Sequence, residues 1–138
     1  SVQDCKPANA VTYDYITTLD GVMEKYKPGD WEFDVPAELI KLWENKDYGR
    51  YADENGDLVV NFITTNDITG GNSGSPVIDA EGNLIGLAFD GNWEAMSGDL
   101  SFENEVQRTI CMDARYLVFI IDKMANAQNL MQELKIIE

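Results

Sequence analysis

Histidine is missing from this sequence altogether. That removes the side chain that most often serves as a general base near neutral pH, so no Ser-His-Asp triad can be completed within these 138 residues. Cysteine is scarce too. Cys5 and Cys111 stand near opposite ends with no CxxC spacing and no histidine to complete a zinc site, which argues against a structural metal. One disulfide in an oxidising compartment and two buried thiols both remain open. Basic residues are few: ten Lys plus Arg face 25 Asp plus Glu, for a formal charge of −15. Such a surface repels phosphate backbones and anionic lipid alike, so neither nucleic acid nor a membrane is an expected partner. The longest apolar run, Tyr116 to Ile121, falls well short of the roughly 18 residues of a membrane span. The opening "SVQDCKPANA" lacks a basic-then-apolar pattern, so a targeting segment is expected to be absent or to lie outside this chain.

What is present suffices for a core: 44% of the residues are apolar, and the length suits one domain. Residues 10–18, with Val11, Tyr13 and Tyr15 alternating against polar neighbours, have the two-residue period of a half-buried strand. "DVPAELIKLWENK" predicts a short helix with Asp34 as N-cap, proline in its first turn and apolar Leu39, Ile40, Leu42 and Trp43 at helical spacing. Strands are predicted over Leu58 to Thr64, over "SPVID", over Leu84 to Asp90 and over "VQRTICMD". The second and third of these form a hairpin across "DAEGN". "GNWEAMSGD" reads as a loop, and "ARYLVFIIDKMANAQNLMQEL" as one or two closing helices. The whole is expected to be mainly β, a small barrel over about residues 1–112 with a helical tail over about 113–138. Asp53, Asn55 and Asp57 occupy the first ligand positions of a calcium loop. The pattern then fails at Leu58 and Thr64, leaving a polar turn as the better reading.

The stretch that carries chemistry is "TGGNSGSPV", Thr69 to Val77. Gly70, Gly71 and Gly74 can reach backbone angles closed to other residues, which would let the amides of Gly71 and Ser73 point at one spot beside the Ser73 hydroxyl. That is the arrangement an acyl-transfer enzyme needs, with a nucleophile next to donors that hold an oxyanion. A strand, not a helix, follows the serine, so this is not the GxSxG elbow; nor does the spacing fit a phosphate loop. A glycine-rich turn joining two strands is the plain alternative. Lys41, Lys46 and Lys123 have no spacing that links any of them to Ser73 as a substitute base.

Together with "KPANAVTYDYITTLDGVMEKYKPGDWEFDVP", "GRYAD", "TGGNSGSPVIDAEGNLIGLAFDGNWE" and "ARYLVFIIDKM", the loop makes the chain similar to the C-terminal part of the bacterial exopeptidase family that contains dipeptidyl-peptidases 7 and 11. The resemblance implies the second barrel of a chymotrypsin-like double-barrel serine peptidase. The N-terminal barrel, which carries the triad histidine and aspartate, and a helical insertion would lie outside these residues. It implies peptide substrates with a free N-terminus, no cofactor, a periplasmic or cell-surface location, and in the complete protein a homodimer that a single barrel need not preserve. An isolated chain of this kind is expected to be inactive. The resemblance makes Ser73 the nucleophile and places Asp90 near the substrate's α-amine, a cation that a carboxylate suits. A strand-end aspartate is the alternative for Asp90. Eighteen residues after the serine, members that prefer acidic P1 residues have arginine where this sequence has Gly91; the glycine is expected to leave room for an apolar P1 side chain. Asp67, six residues before the serine, would on trypsin logic select basic P1 residues, and a loop or hydrogen-bonding role is the alternative. Two other function classes stand beside the exopeptidase: a noncatalytic barrel that binds peptide ends or a partner, and a trypsin-like endopeptidase.

Overall fold

A computed structural model of the chain describes residues 1–6, 12–97 and 103–137. The described residues fall into two compact units, one made of residues 1–17 and 60–114, the other of residues 18–59 and 115–138. Segment 18–59, read from sequence as part of the barrel, therefore groups with the C-terminal helices.

Five strands form one mainly antiparallel sheet in the order β1-β2-β5-β4-β3: β1 Ile16–Thr18, β2 Val59–Thr64, β3 Ser75–Ile78, β4 Leu84–Gly91 and β5 Thr109–Asp113. The pairings run in a line from β1 to β3, and among the described residues they do not close a ring. β1 is shorter than the alternation suggested, and Val11 lies outside the described residues. In β5 every second residue is buried, at Thr109, Cys111 and Asp113, the two-residue period of a strand with one face inward. Phe62, Ala88 and Cys111 form the core of this unit, with Ile16, Ile68, Val77 and Ile85 packed against them. β4 lies so close to its neighbours that a Cβ at Gly86 would meet the Met112 carbonyl oxygen at 2.6 Å and the Phe62 ring at 2.7 Å. Cys5 and Cys111 are both buried free thiols, their pKa values pushed up by burial.

"DENGD" and "DAEGN" fold alike. Asp53 Oδ1 accepts the N–H groups of Asn55 and Asp57, each at 2.9 Å, and Asp79 Oδ1 accepts those of Glu81 at 3.0 Å and Asn83 at 2.7 Å. These bonds hold both carboxyls below the usual carboxylate range, the largest contribution coming from Asp57 N–H for Asp53 and from the Asn83 side chain for Asp79. The Asp53 carboxylate is thus committed to its own turn. Among the described residues no group of three His, Cys, Asp or Glu could hold a metal ion.

The second unit contains α1 Leu19–Met23, α2 Ala37–Glu44, α3 Ala114–Phe119 running into a π turn over Ile120–Met124, and α4 Gln128–Met131. α2 is the helix expected from its periodicity, but its N-cap is Pro36. Asp34 does not cap it; its carboxylate instead accepts the N–H of Val35 at 3.0 Å, because two residues still separate it from the first helical turn. Phe119, fully buried, is ringed by Tyr48, Tyr51 and Tyr116 at centroid distances of 6.1, 6.0 and 6.3 Å. The Tyr51 hydroxyl donates to Asp122 Oδ2 at 2.8 Å. Burial first, and then this carboxylate, push its pKa up from 10.0 to about 12. Lys46 and Lys123, the lysines weighed as bases, pair with Asp20 at 2.7 Å and with Asp47 at 2.9 Å.

Candidate active site

The loop between β2 and β3 is organised by Asn72. Its Oδ1 accepts the Thr69 N–H at 2.9 Å and the Thr69 hydroxyl at 3.3 Å, while its own N–H donates to the Thr69 carbonyl at 3.2 Å. The side chain therefore closes a turn around Gly70 and Gly71. Gly71 has φ +99° and Gly74 has φ +84°, regions where a Cβ is strained. Gly70 does not share this geometry, so only two of the three glycines are required by the backbone. Gly74 N–H donates to the Ala88 carbonyl at 2.7 Å, and Ser75 N–H to the Asn72 carbonyl at 2.9 Å; these bonds anchor the end of the loop to the hairpin behind it.

Ser73 is exposed, and its hydroxyl donates to the Phe89 carbonyl at 3.4 Å. That carbonyl is available because the β4–β5 register shifts between Ala88 and Asp90, so Phe89 is the extra residue of a bulge. Among the described residues nothing accepts the N–H of Gly71 or of Ser73. The loop thus presents an exposed hydroxyl and two backbone N–H groups without an acceptor among the described residues, the kinds of group that receive a carbonyl carbon and the charge that develops on its oxygen.

Asp90 and Gly91 end β4, paired with Ile110 and Thr109. Asp90 is exposed, and its Oδ1 accepts the Gly91 N–H at 2.8 Å. Gly91 is closely approached by its neighbours. A Cβ there would meet the Ala95 Cβ at 2.8 Å and Ile68 Cγ2 at 3.6 Å, because the 3-10 turn Trp93–Ser97, read from sequence as a loop, folds back over the strand end. Asp67 is exposed, and its neighbour Ile68 is the residue that turns into the core. Phe89 is half-exposed at 48% and Trp93 largely exposed at 78%. Asn72, the Phe89 carbonyl and Asn92 were not anticipated. The two asparagines stand where Asx turns occur, beside glycine, which is a weak signal on its own.

A family model described as Peptidase S46 matches residues 1–136. The chain is 56% identical over 138 residues to dipeptidyl-peptidase 7 of Phocaeicola vulgatus, covering 100% of this chain and 19% of that protein. It is 55% identical over 132 residues to an Asp/Glu-specific dipeptidyl-peptidase of Capnocytophaga gingivalis, covering 96% of this chain and 18% of the relative. Among solved structures, DPP11 of Porphyromonas endodontalis in complex with the dipeptide Arg-Glu matches with a TM-score of 0.93 at 50% identity, over 96% of this chain and 19% of that one. The chain spans about one fifth of the length of these relatives. With its sequence matched almost from end to end and its fold shared with a solved member, this chain belongs to the Peptidase S46 family.

Proposed function

We propose that the protein carrying this chain is a serine dipeptidyl-peptidase in which Ser73 is the nucleophile. The observation that supports this most is the exposed Ser73 hydroxyl beside the unspent amides of Gly71 and Ser73, in a chain whose relatives are dipeptidyl-peptidases. Ser73 Oγ attacks the scissile carbonyl and gives its proton to a base, and the two amides take the oxyanion. Collapse expels the peptide amine, which leaves with that proton, and water then hydrolyses the acyl-enzyme to free a dipeptide. The base and its orienting carboxylate come from the part of the protein outside these 138 residues, which contain no histidine. By themselves these residues leave Ser73 an ordinary alcohol, and loss of a triad member costs about 10⁴- to 10⁶-fold in turnover. Asp90, exposed and with Oδ2 uncommitted, holds the substrate's α-ammonium two residues from the bond that breaks, so dipeptides are released.

At P1 the comparisons lean toward acidic residues: several relatives are named Asp/Glu-specific, and the solved neighbours hold Arg-Glu and Arg-Asp. The apolar preference drawn from Gly91 has no such support from the solved neighbours. Apolar P1 stays as a second reading on one observation. Gly91 offers no cation to a carboxylate, and relatives named dipeptidyl-peptidase 7 are equally similar.

Labelling of the full-length protein with a fluorophosphonate tests the nucleophile: Ser73→Ala abolishes labelling and Ser75→Ala keeps it. No labelling of the unsubstituted protein would refute the peptidase and favour a peptide-binding module. Paired substrates ending in Glu or Leu at P1, each with a free and a blocked N-terminus, decide the pocket and separate exopeptidase from endopeptidase.

A further inference from the structure

Asn92 directly follows the two residues given to substrate binding. Its N–H donates to the Arg108 carbonyl at 3.0 Å, which carries the β4–β5 ladder one residue beyond the Gly91–Thr109 pair. The return bond bypasses its own carbonyl. Arg108 N–H donates to Asn92 Oδ1 at 2.9 Å, and the Asn92 carbonyl is thereby left to accept Ala95 N–H at 2.9 Å and close the first turn of Trp93–Ser97. Its Nδ2 donates to the Val106 carbonyl and to Glu94 Oε2, each at 2.8 Å. One side chain thus ends the strand, starts the turn and ties both to residues 106–108. The far end of that tie is itself fixed. Arg108 is 3% exposed, and its guanidinium donates to the carbonyls of Gln107 at 2.8 Å, Asn104 at 2.9 Å, Asp4 at 3.1 Å and Glu105 at 3.3 Å.

The geometry points to Asn92 as a positioning residue for substrate: it fixes the main chain of Asp90 and Gly91 and seats the turn that lays Ala95 against Gly91. This rests on the reading of Asp90 and Gly91 given under the proposed function. Asparagine is required because the position uses one acceptor and two donors on a short side chain; aspartate supplies acceptors alone and alanine neither. An aspartate carboxylate here would face the Val106 carbonyl and the Glu94 carboxylate. Protonation removes that repulsion and restores one donor. Among the described residues the other ionisable groups nearby are Arg108, just before the facing strand, and Cys5, whose thiol feels both Arg108 and Glu94.

The test measures kcat and KM of the full-length protein on a free dipeptidyl substrate between about pH 5.5 and 8, each variant taken relative to the unsubstituted protein at the same pH. Asn92→Ala raises KM about tenfold while kcat changes less than about threefold. Asn92→Asp is impaired at least as much at pH 8, and its relative defect shrinks toward pH 5.5, whereas that of Asn92→Ala stays constant. Unchanged KM in both variants, or an Asn92→Asp defect that ignores pH, overturns the inference. If Asn92→Ala does not fold, the pH response of Asn92→Asp decides alone. Absence of cleavage by the unsubstituted protein refutes the dipeptidyl-peptidase reading instead.

Discussion

Alanine at Gly71, set against alanine at Gly70, separates backbone strain from crowding in the Ser73 loop. Among the described residues neither position has a heavy atom within 4 Å of where a Cβ would stand, so neither substitution meets a steric contact within them. The two differ in φ. Gly71 sits at +99°, whereas Gly70 has no positive φ. An alanine forced into the left-handed side of the map costs roughly 1–2 kcal/mol, and at +99° the upper end applies. Gly70→Ala carries no such cost and even restricts the unfolded chain, a gain of roughly 0.4–1 kcal/mol. In Gly71→Ala the strain is either held or released. If held, urea unfolding shows the loss directly. If the loop relaxes, the amides of residues 71 and 73 swing out of place, and the same 1–2 kcal/mol emerges as a fluorophosphonate labelling rate lower by about 5- to 30-fold. The assay therefore takes unfolding midpoint and labelling rate together, in the full-length protein, for both variants. A Gly71→Ala protein matching Gly70→Ala in both would refute the claim that the main chain at this glycine shapes the oxyanion site.

Alkaline pH probes the second unit. Because Tyr51 has a folded-state pKa raised from 10.0 to about 12, it adds stability that is fully present below pH 10 and is lost as pH climbs through 12, by roughly 2–3 kcal/mol at most. Tyr51→Phe should flatten that part of the pH–stability curve in urea titrations, though not abolish the slope, since burial also raises Tyr48 and Tyr116. An unchanged slope would show that Tyr51 ionises freely in the folded state. Gly86→Ala should destabilise by about 1–3 kcal/mol, because its methyl meets the Met112 carbonyl at 2.6 Å and the Phe62 ring at 2.7 Å. Adding Phe62→Leu should recover only part of the loss, as the carbonyl cannot yield; complete recovery in chemical denaturation would contradict this.

The strands and the helix α2 were legible because their signals are local: a run of β-branched and aromatic residues in "LVVNFIT", apolar residues at helical spacing in "AELIKLWE", and an Asp-x-x-Gly turn between β3 and β4. The glycine-rich loop around Ser73 was legible for a similar reason, since few other residues reach the angles found at Gly71 and Gly74. Composition likewise settled that a histidine base for Ser73, as the proposed mechanism requires, must come from beyond these residues. What needed the folded chain were the features that depend on residues far apart meeting. The bulge that presents the Phe89 carbonyl to Ser73 exists only through the register of β4 against β5. Ala95 fills the space beside Gly91 because a turn returns over the strand end, and Asn92 acquires its role from Arg108, sixteen residues on. Asp34 failed as a cap for the converse reason: the rule for N-caps names a residue type, while the path of the chain chose Pro36. Periodicity and glycine chemistry act over a few residues and can be read in line; register and close approach are sums over the whole unit, and no short window of sequence contains them.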